Sequence, residues 1–435
     1  MDKDIRCWLF VAAAFLLGSI NVLYHSVFLI FLFISFVVNV SISKKTFFQH
    51  VKNNWKYLML PIFGVIYLVL HYWISNLGGY FNYRVSWSIL ELMLLYFFFI
   101  PVYIVSVKDF ITPRLLKYFL LSLCWGILVF NVIKFFYITG MGLFSSPVPT
   151  LQGIYDGRMG GNMSLLNGFV LLEPQAFYLA VSAVVSSCFL LQCIYLRSWK
   201  PTFWSCIIIW VFSLLFLSFT VTKGATLAFG GGLLVLLIVF FRKLSLWRRL
   251  AFGVGILLLL VAAYLGMPDA FKERVGEMKN EIVKLQQGQL EGGTVAPRVA
   301  LWEESFSHID EWGIWGLGVY EKYGVRAWYE QAEYAPIRDL RNTHNSFLNF
   351  WILGGIPGLL FILFYFFAPL LRMIRLKKYS YLLVALLITF VIANSTCFLV
   401  GLTDSVPMII MILAVSFLFL DCFIELEREP FNPEK

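Results

Sequence analysis

Only 14% of the residues are charged, too few to clothe the surface of a soluble domain of this length. Glycine-rich Walker and dinucleotide fingerprints are missing, so ATP-driven transport and redox chemistry find no support. No Asp-x-Asp pair lies on a segment assigned below to the outer face, so neither a divalent metal nor a cofactor is expected. The start of the chain has no small-residue cleavage pattern after its first apolar run, which is therefore read as a true span. The seven cysteines fall in apolar runs or at their ends, and no pair has zinc-type spacing with a histidine. A disulfide framework is not expected. Any reaction must draw its energy from the substrate.

What is present is apolar: 60% of the residues are hydrophobic and 18% aromatic. Runs of about 20 residues, the length that crosses a bilayer core, occur near 7–23, 26–42, 57–75, 88–107, 115–139, 170–196, 203–220, 224–241, 250–266, 346–371, 381–400 and 407–424. The expectation is an all-α polytopic membrane protein of about twelve transmembrane helices with one large, partly helical loop. With the amino terminus in the cytoplasm, Lys44, Lys45, Lys52, Lys56, Lys108, Arg242, Lys243, Arg372 and Arg375 fall on inner segments and the short outer loops are nearly bare of cations. Helices 1–9 then occupy 1–266, the large outer loop 267–343, helices 10–12 344–424, and a solvated cytoplasmic tail 425–435.

Within the loop, Phe271, Val275, Met278, Ile282 and Leu285 recur at helical spacing and predict an amphipathic helix. Pro297 opens a second helix with Val299, Trp302, Phe306 and Ile309 on one face. The stretch Trp312 to Tyr320, rich in glycine and aromatics, suits a tight turn, an interfacial belt or stacking against sugar rings.

Cations at the mouth of a hydrophobic span are costly unless an anion sits against them. Arg338 and Arg341 stand just before His344 and the apolar run that follows, and a guanidinium fork matches phosphate oxygens. A diphosphate explains such a pair better than one carboxylate, although an ion pair with Asp339 accounts for one of them. Lys223 lies where two spans meet; a lysine at a helix end also snorkels, and the residue alone does not separate the two. Arg158 sits in a glycine-rich outer loop, where arginines are ordinarily solvated. Arg298 opens the second loop helix, at the end of the dipole that disfavours a cation unless an anion is near. His344 abuts the cluster, and neighbouring cations favour the neutral imidazole that a general base needs.

These residues then match a family. Thr343-His344-Asn345-Ser346-Phe347-Leu348 followed by Gly354-Gly355-Ile356-Pro357-Gly358 resembles the signature of the O-antigen ligase and O-antigen polymerase superfamily. Arg158 with Glu173-Pro174-Gln175-Ala176, Thr222-Lys223-Gly224-Ala225, and Arg298-Val-Ala-Leu-Trp302 with Gly316-Leu-Gly318 are similar to its further motifs, in order. The resemblance spans roughly 155–360. It implies a membrane-embedded, GT-C-like glycosyltransferase of the bacterial inner membrane with its site facing the periplasm. The donor would be an undecaprenyl-diphosphate-linked glycan and the acceptor a lipid A core or a lipid-linked repeat, with inversion at the anomeric carbon and no metal or nucleotide. His344 would be the base, and Lys223 and Arg298 would bind diphosphate; Arg341, Arg338 and Arg158 are added as further diphosphate ligands. Lys223 departs from the family's usual arginine and lacks its bidentate fork. A flippase of lipid-linked glycans and a protein O-oligosaccharyltransferase are the alternatives.

Overall fold

The computed structural model describes residues 2–20, 25–77, 92–143, 172–220, 222–247, 249–250, 276, 280, 283–284, 287, 295–317, 325–340, 342–397, 399 and 405–428. These residues are helical, without a strand among them. In chain order they form α1 (Asp2–Ser19), α2 (His25–Leu77), a π-helical run Leu92–Phe99 leading into α3 (Ile100–Ser106), α4 (Pro113–Leu143), α5 (Leu172–Tyr195), α6 (Pro201–Thr220) and α7 (Lys223–Lys243). After the large loop's helices α8 (Ala296–Ser307) and α9 (Val325–Gln331) come α10 (Ser346–Leu376), α11 (Tyr381–Thr396), α12 (Val406–Leu418) and α13 (Leu420–Arg428).

Six of these helices are long and apolar enough to cross a membrane, or seven if α12 and α13, bent by 80°, form one broken span. The chain is a multi-pass membrane protein. Helices stand at eleven of the twelve apolar runs, but two runs share α2, and Leu94–Ser106 and Tyr381–Thr396 are short for a full crossing. The run 250–266 and most of the amphipathic pattern at 271–285 lie outside the described residues.

Lipid offers no hydrophobic drive between spans, so close packing and buried polar bonds hold them together. At Gly18 on α1, a Cβ would lie 2.6 Å from the Ile127 backbone nitrogen on α4, so the two helices cross in direct backbone contact. Arg6, near the amino terminus that the sequence reading places in the cytoplasm, is 5% exposed. Its guanidinium donates to both Asp109 carboxylate oxygens at 2.6 and 3.0 Å, to Asn39 Oδ1 at 2.8 Å and to Ser43 Oγ at 2.7 Å, and lies 4.4 Å over the Phe110 ring. Ser43 is the one residue of α2 with non-helical dihedrals. The stretch between the first two runs of α2 is therefore a kinked helix, and Arg6 clasps the kink.

The stretch from Glu425 to Arg428 is the end of α13, not a solvated tail: Leu426 is buried, and the Glu427 carboxylate accepts from Ser380 Oγ and from the backbone N–H groups of Tyr381 and Leu382 at the start of α11. Antiparallel to α11 runs α7. Thr389 and Ile392 lie on Gly232 and Gly231, Lys243 sits 4.4 Å over the Tyr381 ring at one end, and Gly224 meets Thr396 at the other.

The described part of the large loop has its own core of Ala300, Leu301, Trp312, Trp328, Tyr329 and Ile337, closed underneath by Leu348 and Ile352 of α10. The loop folds on itself and onto α10. The buried face of α8 is Ala296, Ala300, Leu301 and Ser305, a rotation away from the Val299, Trp302, Phe306 and Ile309 face. Tertiary bonds override the apolar pattern: Ser305 Oγ and Tyr329 OH share a hydrogen bond of 2.8 Å, and Trp302 turns to the start of α10. Trp312 is core, donating to Ser305 O at 3.0 Å, whereas Trp315 is 66% exposed.

Candidate functional site

The segment Asn342–Ser346 is tied by its own polar side chains. Asn345 sits in extended backbone as the N-cap of α10 and its Oδ1 accepts from the Leu348 N–H at 3.1 Å. Asn349, one turn on, donates through Nδ2 to Thr343 Oγ1 at 2.7 Å and to Asn345 O at 2.9 Å. Thr343 Oγ1 donates to Asn345 O at 3.0 Å, and Asn342 Oδ1 accepts from the His344 N–H at 2.9 Å. Between these anchors His344 has φ of 50°, left-handed backbone that a non-glycine residue holds at a cost of about 1–3 kcal/mol. The surrounding bonds over-determine that conformation. Strain held in place this way concentrates where function needs a side chain aimed.

Three chain segments meet at this turn. Ser346 Oγ, fully buried, donates to Asn394 Oδ1 at 2.8 Å and lies 3.2 Å from Cys397 O, binding the start of α10 to the end of α11. The start of α7 packs on the same end, since a Cβ at Gly224 would lie 3.1 Å from Thr396 Cβ and 3.7 Å from Cys397 Sγ. Cys397 thus neighbours both the Lys223–Gly224 and the His344–Ser346 stretches. The Thr222 hydroxyl donates to Thr220 O rather than capping the start of α7. The first-turn N–H groups and Lys223 concentrate positive charge at one point. The third segment is α8: Trp302 Nε1 donates to Thr343 O at 2.8 Å, and half-buried Arg298 lies one helical turn earlier on the same side.

The glycine motifs form a second junction. Gly316 (φ 76°) and Gly355 (φ 58°, ψ −153°) lie backbone to backbone, with Leu317 N–H donating to Ile352 O at 2.7 Å and Ile356 N–H to Ile314 O at 2.9 Å. Gly355 breaks α10 at the point where the loop docks. Trp351 Nε1 donates to Gly313 O at 2.9 Å, and Tyr67 OH to Trp315 O at 2.9 Å.

Of the residues singled out by sequence, Lys223 and His344 thus flank chain neighbours that meet at the end of α11, and Arg298 lies on α8, which reaches the same turn through Trp302. Arg338 is exposed, and its guanidinium donates to Ala332 O at 2.9 Å and Glu333 O at 3.4 Å, turned toward its own loop. Arg158, Arg341 and Gly318 lie outside the described residues. Sequence reasoning passed over Asn349, Asn394 and Trp302 Nε1, which position the turn. A buried asparagine inside an apolar run was the available signal for Asn394.

Residues 208–363 match a family model described as O-antigen ligase. That segment is similar to O-antigen ligases. It begins in α6, ends in α10 and takes in Lys223, Arg298, His344 and Gly355, while Arg158 falls before it. The match bears out the resemblance drawn from the short motifs. An O-antigen ligase domain carries glycan transfer of the ligase or polymerase type, with a lipid-linked glycan and an acceptor glycan as its general substrates. No curated protein matches the chain significantly.

Proposed function

We propose that the protein transfers a glycan from undecaprenyl diphosphate to a sugar hydroxyl at the periplasmic face of the bacterial inner membrane, inverting the anomeric centre. The observation that carries this reading is the convergence of the Lys223 helix start, the strained His344 turn and the Arg298 helix on the end of α11. The acceptor oxygen bonds to the anomeric carbon as the bond from that carbon to the diphosphate breaks. The hydroxyl proton passes to the His344 imidazole, and undecaprenyl diphosphate leaves with its charge held by Lys223, Arg298 and the positive end of the α7 dipole. Positive groups fixed where charge develops are the largest expected contribution, and a placed base adds roughly 10²–10⁴-fold. Arg341 and Arg158 are further candidates for the diphosphate. Arg338 would have to leave the Ala332 and Glu333 carbonyls to join them.

The test is to incubate the purified full chain with undecaprenyl-diphosphate-linked glycan and an acceptor, without nucleotide or added metal. Extension of a lipid A core marks a ligase, and lengthening of the lipid-linked glycan itself marks a polymerase. Movement of intact donor across the membrane with no new glycosidic bond would overturn the proposal in favour of a flippase.

A further inference from the structure

The turn Gly313-Ile-Trp-Gly316 lies inside the segment that the sequence reading assigns to the large outer loop, yet its backbone is satisfied without water. Each carbonyl from Trp312 to Trp315 is taken by a protein donor. Trp312 O accepts from the Gly316 N–H at 2.8 Å and Ile314 O from the Ile356 N–H at 2.9 Å. Gly313 O accepts from Trp351 Nε1 at 2.9 Å, and Trp315 O from Tyr67 OH at 2.9 Å. A surface loop leaves such groups to solvent, whereas irregular backbone at membrane depth has to satisfy them from the protein. Gly313 to Leu317 also carries no ionisable residue. What the turn exposes is apolar: Ile314 is 62% and Trp315 66% exposed.

The contacts of the turn set its depth. Tyr67 belongs to the membrane-crossing stretch Ser26–Tyr67 of α2. One helical turn earlier, a Cβ at Gly64 would lie 3.2 Å from the Phe361 ring of α10, so the two spans touch beside the turn. Past Tyr67, α2 still exposes Val69 and Leu70, and α10 exposes Ile356 and Leu360. Ile314 and Trp315 are thus continuous with the lipid-facing sides of two spans. On the loop side, Phe306 and Ile309 are exposed as well, and Ile309 Cγ1 would lie 3.1 Å from a Cβ at Gly313. The outer part of the apolar face of α8, left uncovered by the loop core, therefore runs into the same surface. Glu311, exposed and joined to His308 Nδ1 at 2.8 Å, marks the side toward water.

We propose that the turn Gly313–Gly316 is inserted into the outer lipid leaflet, with Ile314 and Trp315 against phospholipid acyl chains. The bilayer then holds the loop down on α10, and with it α8, whose Trp302 bonds the His344 turn. The insertion stands independently of the transfer reaction.

The experiment uses the purified full chain in nanodiscs of phosphatidylethanolamine and phosphatidylglycerol, with a photoreactive diazirine side chain in place of Ile314 or, as the water-facing control, of Glu311. Irradiation followed by mass spectrometry is expected to give phospholipid adducts at position 314 at least tenfold above those at 311. Trp315→Asp places a charge in the leaflet and is expected to speed hydrogen exchange at residues 314–317 and 352–356 tenfold or more, whereas on a solvated turn it changes exchange by no more than a few-fold. If Trp315→Asp does not fold, the diazirine labelling decides. Adducts at 314 only to water, to an added glycan or to a second copy of the chain would overturn the proposal, as would unchanged exchange in a folded Trp315→Asp protein.

Discussion

Replacing Gly355 by alanine tests whether the two glycine motifs are one junction. Its φ of 58° and ψ of −153° fall in a region that essentially only glycine occupies. A Cβ would lie 2.5 Å from the Trp315 carbonyl carbon and 2.6 Å from that of Ile314, so the loop backbone has to retreat. Retreat breaks the Leu317–Ile352 and Ile356–Ile314 hydrogen bonds. Each bond contributes about 0.5–1.5 kcal/mol and the forced dihedrals cost about 1–3 kcal/mol. Docking of the loop on α10 therefore weakens by about 2–6 kcal/mol, a factor of roughly 30 or more in the opening equilibrium. Because α8, which carries Arg298, is joined to the His344 turn by Trp302 of this loop, glycan transfer falls while the spans remain folded. Hydrogen exchange is the assay: amides of residues 314–317 and 352–356 lose protection by that factor, and amides of α5 do not. Unchanged protection and unchanged transfer in Gly355→Ala would refute the reasoning.

Arg6→Ala removes the charge-assisted bonds to Asp109, whose carboxylate water still reaches, and the bonds to Asn39 and Ser43; with hydrogen bonds to a charged group worth about 1.5–3 kcal/mol, the expected readout is a lower thermal midpoint in detergent with no change specific to transfer. Asn349→Ala removes the two donor bonds that hold Thr343 and Asn345; transfer is expected to fall at least tenfold in kcat with a smaller change in donor KM, because aim rather than binding is lost. The Glu427 carboxyl is pushed up to about 7 by burial, against an ordinary value of 4.5. Its contribution to stability is complete below about pH 4.5 and is lost as pH rises through about 7. The midpoint measured from pH 5 to 8.5 should therefore decline, and Glu427→Gln should flatten the decline.

The apolar runs were legible because a bilayer demands length and low charge, and helices stand at each run that lies among the described residues. Their pairing was not legible, since neither the Gly18 contact on α4 nor the clasp of Arg6 on Asp109 has a local signature. The same limit applies to α8, whose apolar spacing pointed to a face that the Ser305–Tyr329 bond turns aside. In the candidate site the residue types were readable one by one: a histidine beside arginines, a lysine between spans, a glycine run after the His344–Asn345 pair. That Lys223 and His344 both lie against the end of α11 depends on the bond from Ser346 to Asn394, 48 positions apart. Arg338 shows the converse, since proximity to His344 in sequence made it a candidate and its guanidinium instead serves the Ala332 and Glu333 carbonyls.

The central claim rests on His344 and is tested most directly by its replacement. In the purified full chain, with undecaprenyl-diphosphate-linked glycan and acceptor supplied, His344→Ala should form new glycosidic bonds at least 100-fold more slowly, the lower end of the roughly 10²–10⁴-fold range for a placed base, with its thermal midpoint and donor binding retained. Transfer at the native rate by a folded His344→Ala protein would contradict the account.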